Sequence, residues 1–239
     1  MKLTFQDIFN THKKIIDTVK WTETSFSNQI SEKTGADIFI KFENRQHTGS
    51  FKIRGSYSKL LSLSDEEKKS GVIAMSAGNH AQGLAHISKK MNVTSNIVMP
   101  EGTPFTKIRR TNNFGGSVII KGKTLAESYR HVQELIVKNG YTEVHPYNDL
   151  NVISGQGTVS YEMLSDINNI DVLLVPVGGG GLIAGCSLVA KEMNKNIKVI
   201  GVESELYPSL SNIIYNKKNI CKGSTLAEGI AVSEIGEIP

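Results

Sequence analysis

The sequence predicts an open α/β fold, in which mostly parallel strands are covered by helices. Two observations support this prediction. From about residue 71, short apolar runs alternate with segments of helical periodicity. The apolar runs are also continuous, and continuous runs are typical of parallel strands that are buried on both faces. In open sheets of this class, ligands bind beyond the carboxyl ends of the strands, so we expect the functional residues there.

Five strands and four helices are predicted between residues 71 and 202. The predicted strands cover residues 72–75, 95–99, 117–120, 171–177 and 198–202. The predicted helices cover residues 81–91, 105–113, 125–138 and 182–193, and the third ends before Gly140, a residue type that favours helix ends. Residues 145–154 show little helical or strand pattern and are predicted to be a crossover.

This crossover marks one boundary of a smaller inserted domain. The other boundary lies in the polar stretch 63–70, where Ser64 and Glu67 have the spacing of a helix capping box. We therefore expect a large domain made of residues 1–66 and 150–239, and a small domain made of residues 67–149.

Composition narrows the range of functions. The 239 residues carry a net charge of only +4 and have no polybasic arm, which argues against a nucleic-acid partner. Cys186 and Cys221 form no Cys-x-x-Cys pair, so neither a disulfide framework nor a zinc site is expected. The polar N-terminal segment lacks the apolar core of a signal peptide, and no apolar run has the roughly 20 residues of a membrane helix. We expect a cytoplasmic protein with no membrane partner.

A run of four glycines, from Gly178 to Gly181, joins a predicted strand directly to a predicted helix. Glycines allow the backbone to approach an anion closely, and the N–H groups at a helix start attract phosphate. The run therefore predicts a phosphate site. Gly179, Gly181 and Ala184 also fit a relaxed dinucleotide fingerprint, and Glu203 stands where a ribose-binding acid is expected. A nicotinamide-dependent oxidoreductase therefore stays open on this segment.

Two other segments carry candidate catalytic and binding groups. Lys52 stands between Phe51 and Ile53, and burial of a lysine among apolar neighbours lowers its pKa and yields a neutral, nucleophilic amine. Residues 76–83, Ser-Ala-Gly-Asn-His-Ala-Gln-Gly, join a predicted strand to a predicted helix. Their hydroxyl, amide and helix-start N–H groups could bind a carboxylate, although the same residue types also make ordinary helix caps.

Together and in this order, the three segments resemble those of the fold-type II enzymes that use pyridoxal 5'-phosphate. The lysine motif is matched by Glu43, Thr48, Ser50, Phe51, Lys52, Arg54 and Gly55. The asparagine loop is matched by residues 76–83, and the phosphate loop by residues 178–181. The Ser-Phe-Lys-Ile-Arg-Gly form is similar to the branch of threonine dehydratases and serine racemases. The resemblance implies two open, twisted sheets as in the tryptophan synthase β subunit, in a large domain with a smaller inserted domain.

The resemblance also implies roles for individual residues. Lys52 is the implied catalytic residue, which would carry the cofactor and later accept the Cα proton of the substrate. The implied cofactor-binding residues are Phe51, Lys52, Asn79, Gly178, Gly179, Gly180 and Gly181. The implied ligands of the substrate carboxylate are Ser76, Gly78, Asn79 and His80.

The activity that the resemblance implies is that of a threonine dehydratase (threonine ammonia-lyase). Such an enzyme converts L-threonine to 2-oxobutyrate and ammonia, and L-serine to pyruvate. Ala77 disfavours racemisation, because serine racemases of this family carry there a serine that acts as a second acid/base. No metal is expected, since Ser209 replaces a carboxylate of the racemase metal site. The implied partners are a small amino-acid substrate and further copies of the chain, as a homo-oligomer.

Enzymes of this family usually continue beyond the point that corresponds to Pro239. We therefore expect the C-terminal part of the large domain to be missing, together with the polar partner of the pyridine nitrogen. We also expect the incomplete sheet to expose apolar surface. Glu228 lies near the expected edge of the site without an assigned role. A non-catalytic remnant of the family stays open as an alternative to an active enzyme.

Overall fold

The computed structural model describes residues 2–239 of the chain. The elements of the first half are α1 (Phe5–Ile15), β1 (Thr24–Phe26), α2 (Asn28–Thr34), β2 (Phe39–Lys41), α3 (Lys52–Leu61), α4 (Asp65–Ser70), β3 (Val72–Met75), α5 (Asn79–Lys90), β4 (Ser95–Met99) and α6 (Phe105–Asn113). The elements of the second half are β5 (Ser117–Ile120), α7 (Leu125–Asn139), β6 (Thr142–Glu143), α8 (Leu150–Asp166), β7 (Val172–Pro176), α9 (Gly181–Met193), β8 (Lys198–Val202) and α10 (Ser209–Ile214). None of these helices combines the length and the apolar character that a membrane crossing needs.

The central sheet consists of four parallel strands in the order β5-β4-β3-β6. Its two middle strands, β3 and β4, are buried along almost their whole length, as their continuous apolar runs predict. Strands β3, β4 and β5 lie at the predicted bounds, and the predicted helices of this region begin and end within two residues of α5, α6 and α7. Gly140 ends α7 in the left-handed conformation, with a φ of 70°.

The helix that follows β3 packs directly on the helix that begins at Lys52. At Gly83 of α5, an added Cβ would lie only 2.9 Å from the backbone nitrogen of Ile53 in α3. Ile53 and Leu84 are both fully buried in the same hydrophobic cluster. The close contact fixes the asparagine loop relative to Lys52, because α3 and α5 cannot separate without opening this core.

A second parallel sheet consists of β7 and β8 and is covered on one face only by the described residues. Leu173 and Val175 of β7 point inward and are buried in a cluster with α8 and α9. The opposite face exposes Val172, Leu174, Ile200 and Val202 by 43–59%. The prediction of strands covered on both faces is therefore wrong for this sheet within residues 2–239. The expectation of exposed apolar surface is met here.

The predicted crossover at residues 145–154 is shorter than expected, because α8 begins at Leu150. The carboxylate of Asp149 caps this helix by accepting the N–H groups of Asn151 (2.8 Å) and Val152 (3.0 Å). The sequence pattern hid the helix because its first turns are buried on most sides and contain glycines. An added Cβ on Gly155 would overlap the backbone of Arg54, so glycine is what allows α8 to lie against α3.

The capping box predicted at Ser64 is confirmed. The Ser64 hydroxyl accepts the N–H of Glu67 at 3.2 Å, and the Glu67 carboxylate accepts the N–H of Ser64 at 2.7 Å. These two bonds begin α4, the short helix that leads into β3.

Candidate active site

Lys52 is the first residue of α3, directly after Phe51. Its side chain is half-buried, and its Nζ donates a hydrogen bond to the carbonyl of Pro146 at 2.8 Å. Burial of the amine without an opposite charge lowers the pKa of Lys52 from its ordinary value of 10.5 to about 8. Phe51 lies beside it, with its ring centroid 5.4 Å from Nζ. An amine of this kind is neutral often enough near neutral pH to attack a carbonyl or accept a proton.

A buried ionic network around Arg54 holds α3 in place. Arg54 is fully buried and donates to the carboxylates of Glu43 (2.8 and 2.9 Å) and Glu162 (2.6 and 2.8 Å). Lys41 donates to the same Glu162 at 2.7 Å. Two cations therefore face two carboxylates in the interior, and each carboxylate comes from a different element. The network ties the start of α3, with Lys52, to β2, α8 and the 3-10 turn at Glu43.

The asparagine loop turns from the carboxyl end of β3 into α5. The Ser76 hydroxyl accepts the N–H groups of Gly78 and Ala81, both at 3.3 Å, and so caps the helix. Asn79 is the first residue of α5 and is exposed. An added Cβ on Gly78 would meet nothing within 4 Å, so the loop faces open space on this side.

His80 lies in the same loop, but its ring points into the protein. The ring is buried, and its Nε2 lies 2.7 Å from the carbonyl of Val144. A carbonyl can only accept, so Nε2 carries the proton and Nδ1 does not. Burial, aided by the charge of Lys52, lowers the pKa of His80 to about 3. The imidazole is thus neutral and committed elsewhere, and only the backbone N–H of His80 can reach a carboxylate at the helix start.

The glycine run connects β7 to α9, as predicted. Gly180 is the N-cap of α9 and has a φ of 93°, which explains a glycine at this position. Within residues 2–239, no protein acceptor receives the N–H groups of Gly178 to Gly181. An added Cβ on Gly179 would overlap the ring of Tyr147, so this ring covers one side of the loop. Unpaired N–H groups at a helix start form an anion site.

The structure brings the three predicted segments together. Lys52 and the glycine loop are joined by adjacent residues, because Pro146 contacts the amine and Tyr147 covers Gly179. The asparagine loop joins the same site through Gly229. An added Cβ on Gly178 of the glycine loop would lie 3.5 Å from the Gly229 carbonyl oxygen, and one on Gly229 would lie 3.8 Å from Asn79 Nδ2.

The sequence interpretation missed residues 145–148, and only one signal could have identified them. They directly follow β6, so they lie at the same carboxyl edge of the sheet as the asparagine loop. Because β6 has only two residues, no apolar run marked it as a strand. Glu162 was missed as well, although it is the first charged side chain after the uncharged run of residues 150–161.

Glu203 and Glu228 are engaged in structural contacts. The Glu203 carboxylate accepts the backbone N–H groups of Leu210 (2.7 Å) and Ser211 (2.9 Å) at the start of α10. It is thereby occupied as a helix cap, which removes the acid that a dinucleotide site would need. Glu228 is exposed and pairs with Lys107 at 2.7 Å.

A family model described as "Pyridoxal-phosphate dependent enzyme" matches residues 15–239. The chain belongs to this family. The match confirms the predicted family, its fold class and its cofactor. Membership of this family accounts for all three segments of the site. A nicotinamide-dependent oxidoreductase would use only the glycine run and would give Lys52 and the asparagine loop no role.

Similar proteins indicate the branch of this family to which the chain is most similar. The chain is 44% identical over 238 residues to an L-threonine ammonia-lyase of Thermotoga maritima, covering 99% of the chain and 59% of the relative. It is 45% identical over 207 residues to a catabolic L-threonine dehydratase of Staphylococcus aureus, covering 85% of the chain and 60% of the relative. The chain thus spans about three fifths of the length of these relatives.

Solved structures indicate the same branch, that of threonine dehydratases and serine racemases. A threonine deaminase from Solanum lycopersicum superposes with a TM-score of 0.89 at 35% identity, covering 99% of this chain and 68% of that one. A serine racemase from Dictyostelium discoideum superposes with a TM-score of 0.91 at 34% identity, covering 99% of this chain and 76% of that one. The fold therefore does not separate elimination from racemisation.

The described residues fit pyridoxal phosphate. The unpaired N–H groups of the glycine loop are donors for its phosphate, and burial lowers the pKa of the Lys52 amine to about 8. Asn79 stands at the open side of the same site, where an amide can reach a ring hydroxyl. The backbone N–H groups and the amide suit a phosphate and a phenolic oxygen as donors, and the neutral amine suits an aldehyde as a nucleophile.

Proposed function

We propose that the chain carries the active site of a threonine ammonia-lyase, which eliminates water from L-threonine to give an enamine, whose hydrolysis then yields 2-oxobutyrate and ammonia. L-Serine, which would give pyruvate, is the second substrate. The observation that carries the proposal is the enclosed amine of Lys52, with a pKa of about 8, next to a glycine loop whose N–H groups are unpaired. The names of the curated relatives support threonine as the substrate.

When bound, pyridoxal phosphate supplies an electron sink for the charge that develops at the substrate Cα. The N–H groups of the glycine loop would hold its phosphate, and Asn79 would hold its ring hydroxyl. Lys52 Nζ accepts the Cα proton; with a pKa of about 8, roughly a tenth of this amine is neutral at pH 7. A general base in this position contributes about 10²–10⁴-fold to the rate.

The asparagine loop orients the substrate. Backbone N–H groups at the start of α5 and the hydroxyl of Ser76 bind the carboxylate, and Gly78 leaves room for it. Fixing the carboxylate also fixes which Cα bond faces Lys52, so orientation selects proton removal. Ala77 is half-buried against the hydrophobic core and offers no proton, which supports elimination over racemisation.

Retention of the whole donor set argues against a non-catalytic remnant. A chain released from selection for cofactor binding would have no reason to keep the Lys52 amine enclosed and the glycine loop unpaired. We also propose that the protein is cytoplasmic and homo-oligomeric, with its two free cysteines reduced. Size-exclusion chromatography with light scattering tests the oligomeric state.

The test is an absorption spectrum of the purified chain with added pyridoxal phosphate, before and after L-threonine, together with an assay of 2-oxobutyrate. A visible band that changes with threonine, with product formation, supports the proposal. Lys52→Ala is expected to lose the band and all measurable turnover, whereas the control Lys138→Ala, at an exposed position in the last turn of α7, keeps both. Turnover near the wild-type rate in Lys52→Ala would exclude this mechanism.

A further inference from the structure

Residues 144–148, which connect β6 to α8, touch each part of the candidate site. We name them the bridging segment. The carbonyl of Val144 accepts the ring proton of His80, and the carbonyl of Pro146 accepts from Lys52. Tyr147 covers Gly179 of the glycine loop. One short segment without regular structure therefore contacts the asparagine loop, the amine and the phosphate loop.

The bridging segment is held in its shape by a side chain of its own. His145 Nδ1 accepts the backbone N–H of Asn148 at 2.8 Å and that of Tyr147 at 3.3 Å. Two donors face the same nitrogen, so Nδ1 is unprotonated and the ring proton lies on Nε2. The His145 ring also meets the Tyr147 ring edge to face, with centroids 4.7 Å apart. These contacts fold the segment into a turn that presents Pro146 to one side and Tyr147 to the other.

We propose that His145 is a positioning residue of the active site, which holds Pro146 against Lys52 and Tyr147 against the glycine loop through its unprotonated Nδ1. The inference rests on the proposed function, because the groups that His145 positions are the lysine and the phosphate loop of that site. Loss of the Nδ1 acceptor leaves two backbone N–H groups unpaired in a half-buried turn, so the turn opens.

Burial keeps His145 neutral, and the charged groups that face it come from α3 and the start of α8. Burial lowers its pKa below the ordinary value of 6.5, and the positive charge of Lys52 on α3 acts in the same direction. Asp149, at the start of α8, acts in the opposite direction, but it is paired with Lys59 at 2.7 Å. From α5, His80 faces the same region as a neutral ring. The turn is therefore intact at neutral pH and opens only in acid, when Nδ1 gains a proton.

The first test compares His145→Asn with His145→Leu. Asparagine places its Oδ1 acceptor where Nδ1 stands, whereas leucine keeps a similar volume without an acceptor. We measure hydrogen–deuterium exchange of the amides of Tyr147 and Asn148 in the chain without cofactor. His145→Leu is expected to speed their exchange by at least about tenfold, with His145→Asn close to the wild type. Unchanged exchange in His145→Leu would overturn the proposal.

The second test measures the dissociation constant of pyridoxal phosphate for the same variants by absorbance. His145→Leu is expected to weaken binding by about tenfold or more, and His145→Asn to restore it. The control His131→Ala, which removes a histidine paired with Glu134 on α7, should bind as the wild type does. Faster exchange with unchanged affinity would refute the positioning role. A wild-type chain that binds no pyridoxal phosphate would refute the proposed function, and the exchange comparison would still decide what His145 holds.

Discussion

Removal of one charge from the buried ionic network around Arg54 should destabilise the whole fold. The informative change is Glu162→Gln, because glutamine has nearly the same shape as glutamate. Glu162 is fully buried and accepts from Arg54 at 2.6 and 2.8 Å and from Lys41 at 2.7 Å. The amide that replaces one oxygen can only donate, so it faces a cation as a second donor.

The magnitude follows from the charges that remain. In the wild type, Arg54 and Lys41 face Glu43 and Glu162, so the network is neutral. Glu162→Gln leaves a net buried charge of one, and the nearest remaining carboxylate of Lys41, that of Asp166, is 3.8 Å away. Removing one partner of a buried ion pair typically costs about 3–5 kcal/mol, a large part of the roughly 5–15 kcal/mol that stabilises a domain.

Urea unfolding measures this free energy, provided that the slope with denaturant stays the same in both proteins. The matched control is Glu134→Gln, which removes an exposed carboxylate that pairs with His131 and, within residues 2–239, with no other cation; it should change stability by less than about 1 kcal/mol. A loss below about 1 kcal/mol for Glu162→Gln would refute the argument, since it would mean that Arg54 and Lys41 do not depend on this carboxylate.

Three further predictions concern acid sensitivity, the glycine loop and a helix cap. His80 has a pKa of about 3 in the fold and 6.5 when unfolded, so the unfolded chain takes up the proton first as pH falls. The free energy of unfolding should therefore drop as the pH falls below 6.5, by about 2 kcal/mol at pH 5. His80→Gln should flatten this slope in pH-dependent urea titrations. Gly179→Ala forces a methyl group into the ring of Tyr147 and should lower stability by about 1–3 kcal/mol; an unchanged unfolding midpoint would show that the ring can move away freely. Ser64→Ala removes the hydroxyl that accepts from Glu67 and should cost about 1 kcal/mol in thermal or urea unfolding, without effect on cofactor affinity.

Five of the eight strands of residues 2–239 could be predicted because their apolar runs are continuous and their ends are marked, whereas β1, β2 and β6 have only two or three residues and no such run. Strands β3, β4, β5 and β8 lie at the predicted bounds. Helix α8 as a whole was not predicted, since its buried glycines leave it no apolar stripe and Asp149 is the only sign of its start. Exposed apolar surface was expected, but Val172 and Leu174 do not themselves show that it lies on β7, because a parallel strand covered on both faces has the same continuous apolar sequence.

The residues of the site likewise include some that the sequence predicted and some that it did not. Lys52 and the glycine loop were identified because each has a local pattern that the chemistry requires. Pro146 and Glu162 have no such pattern, since their partners are far away in sequence. His145 bonds to its near neighbours, but no sequence pattern marks the turn that these bonds hold. The ring of His80 shows a further limit: its residue type suggested a ligand of the carboxylate, but the ring is used to hold Val144.

Lys52 is therefore positioned by two independent devices, and they act on different parts of the residue. The ionic network fixes the backbone of α3, because Arg54 stands two residues after Lys52 and is bound to α8 and to the turn at Glu43. The bridging segment fixes the side chain, because Pro146 accepts from Nζ. A base that must meet one Cα proton needs both, since a rigid helix alone leaves a long lysine side chain free to rotate. The carbonyl of Pro146 also explains how the amine of Lys52 can be enclosed and still lose its proton readily. It accepts one N–H of the amine in either protonation state, but it supplies no negative charge that would raise the pKa.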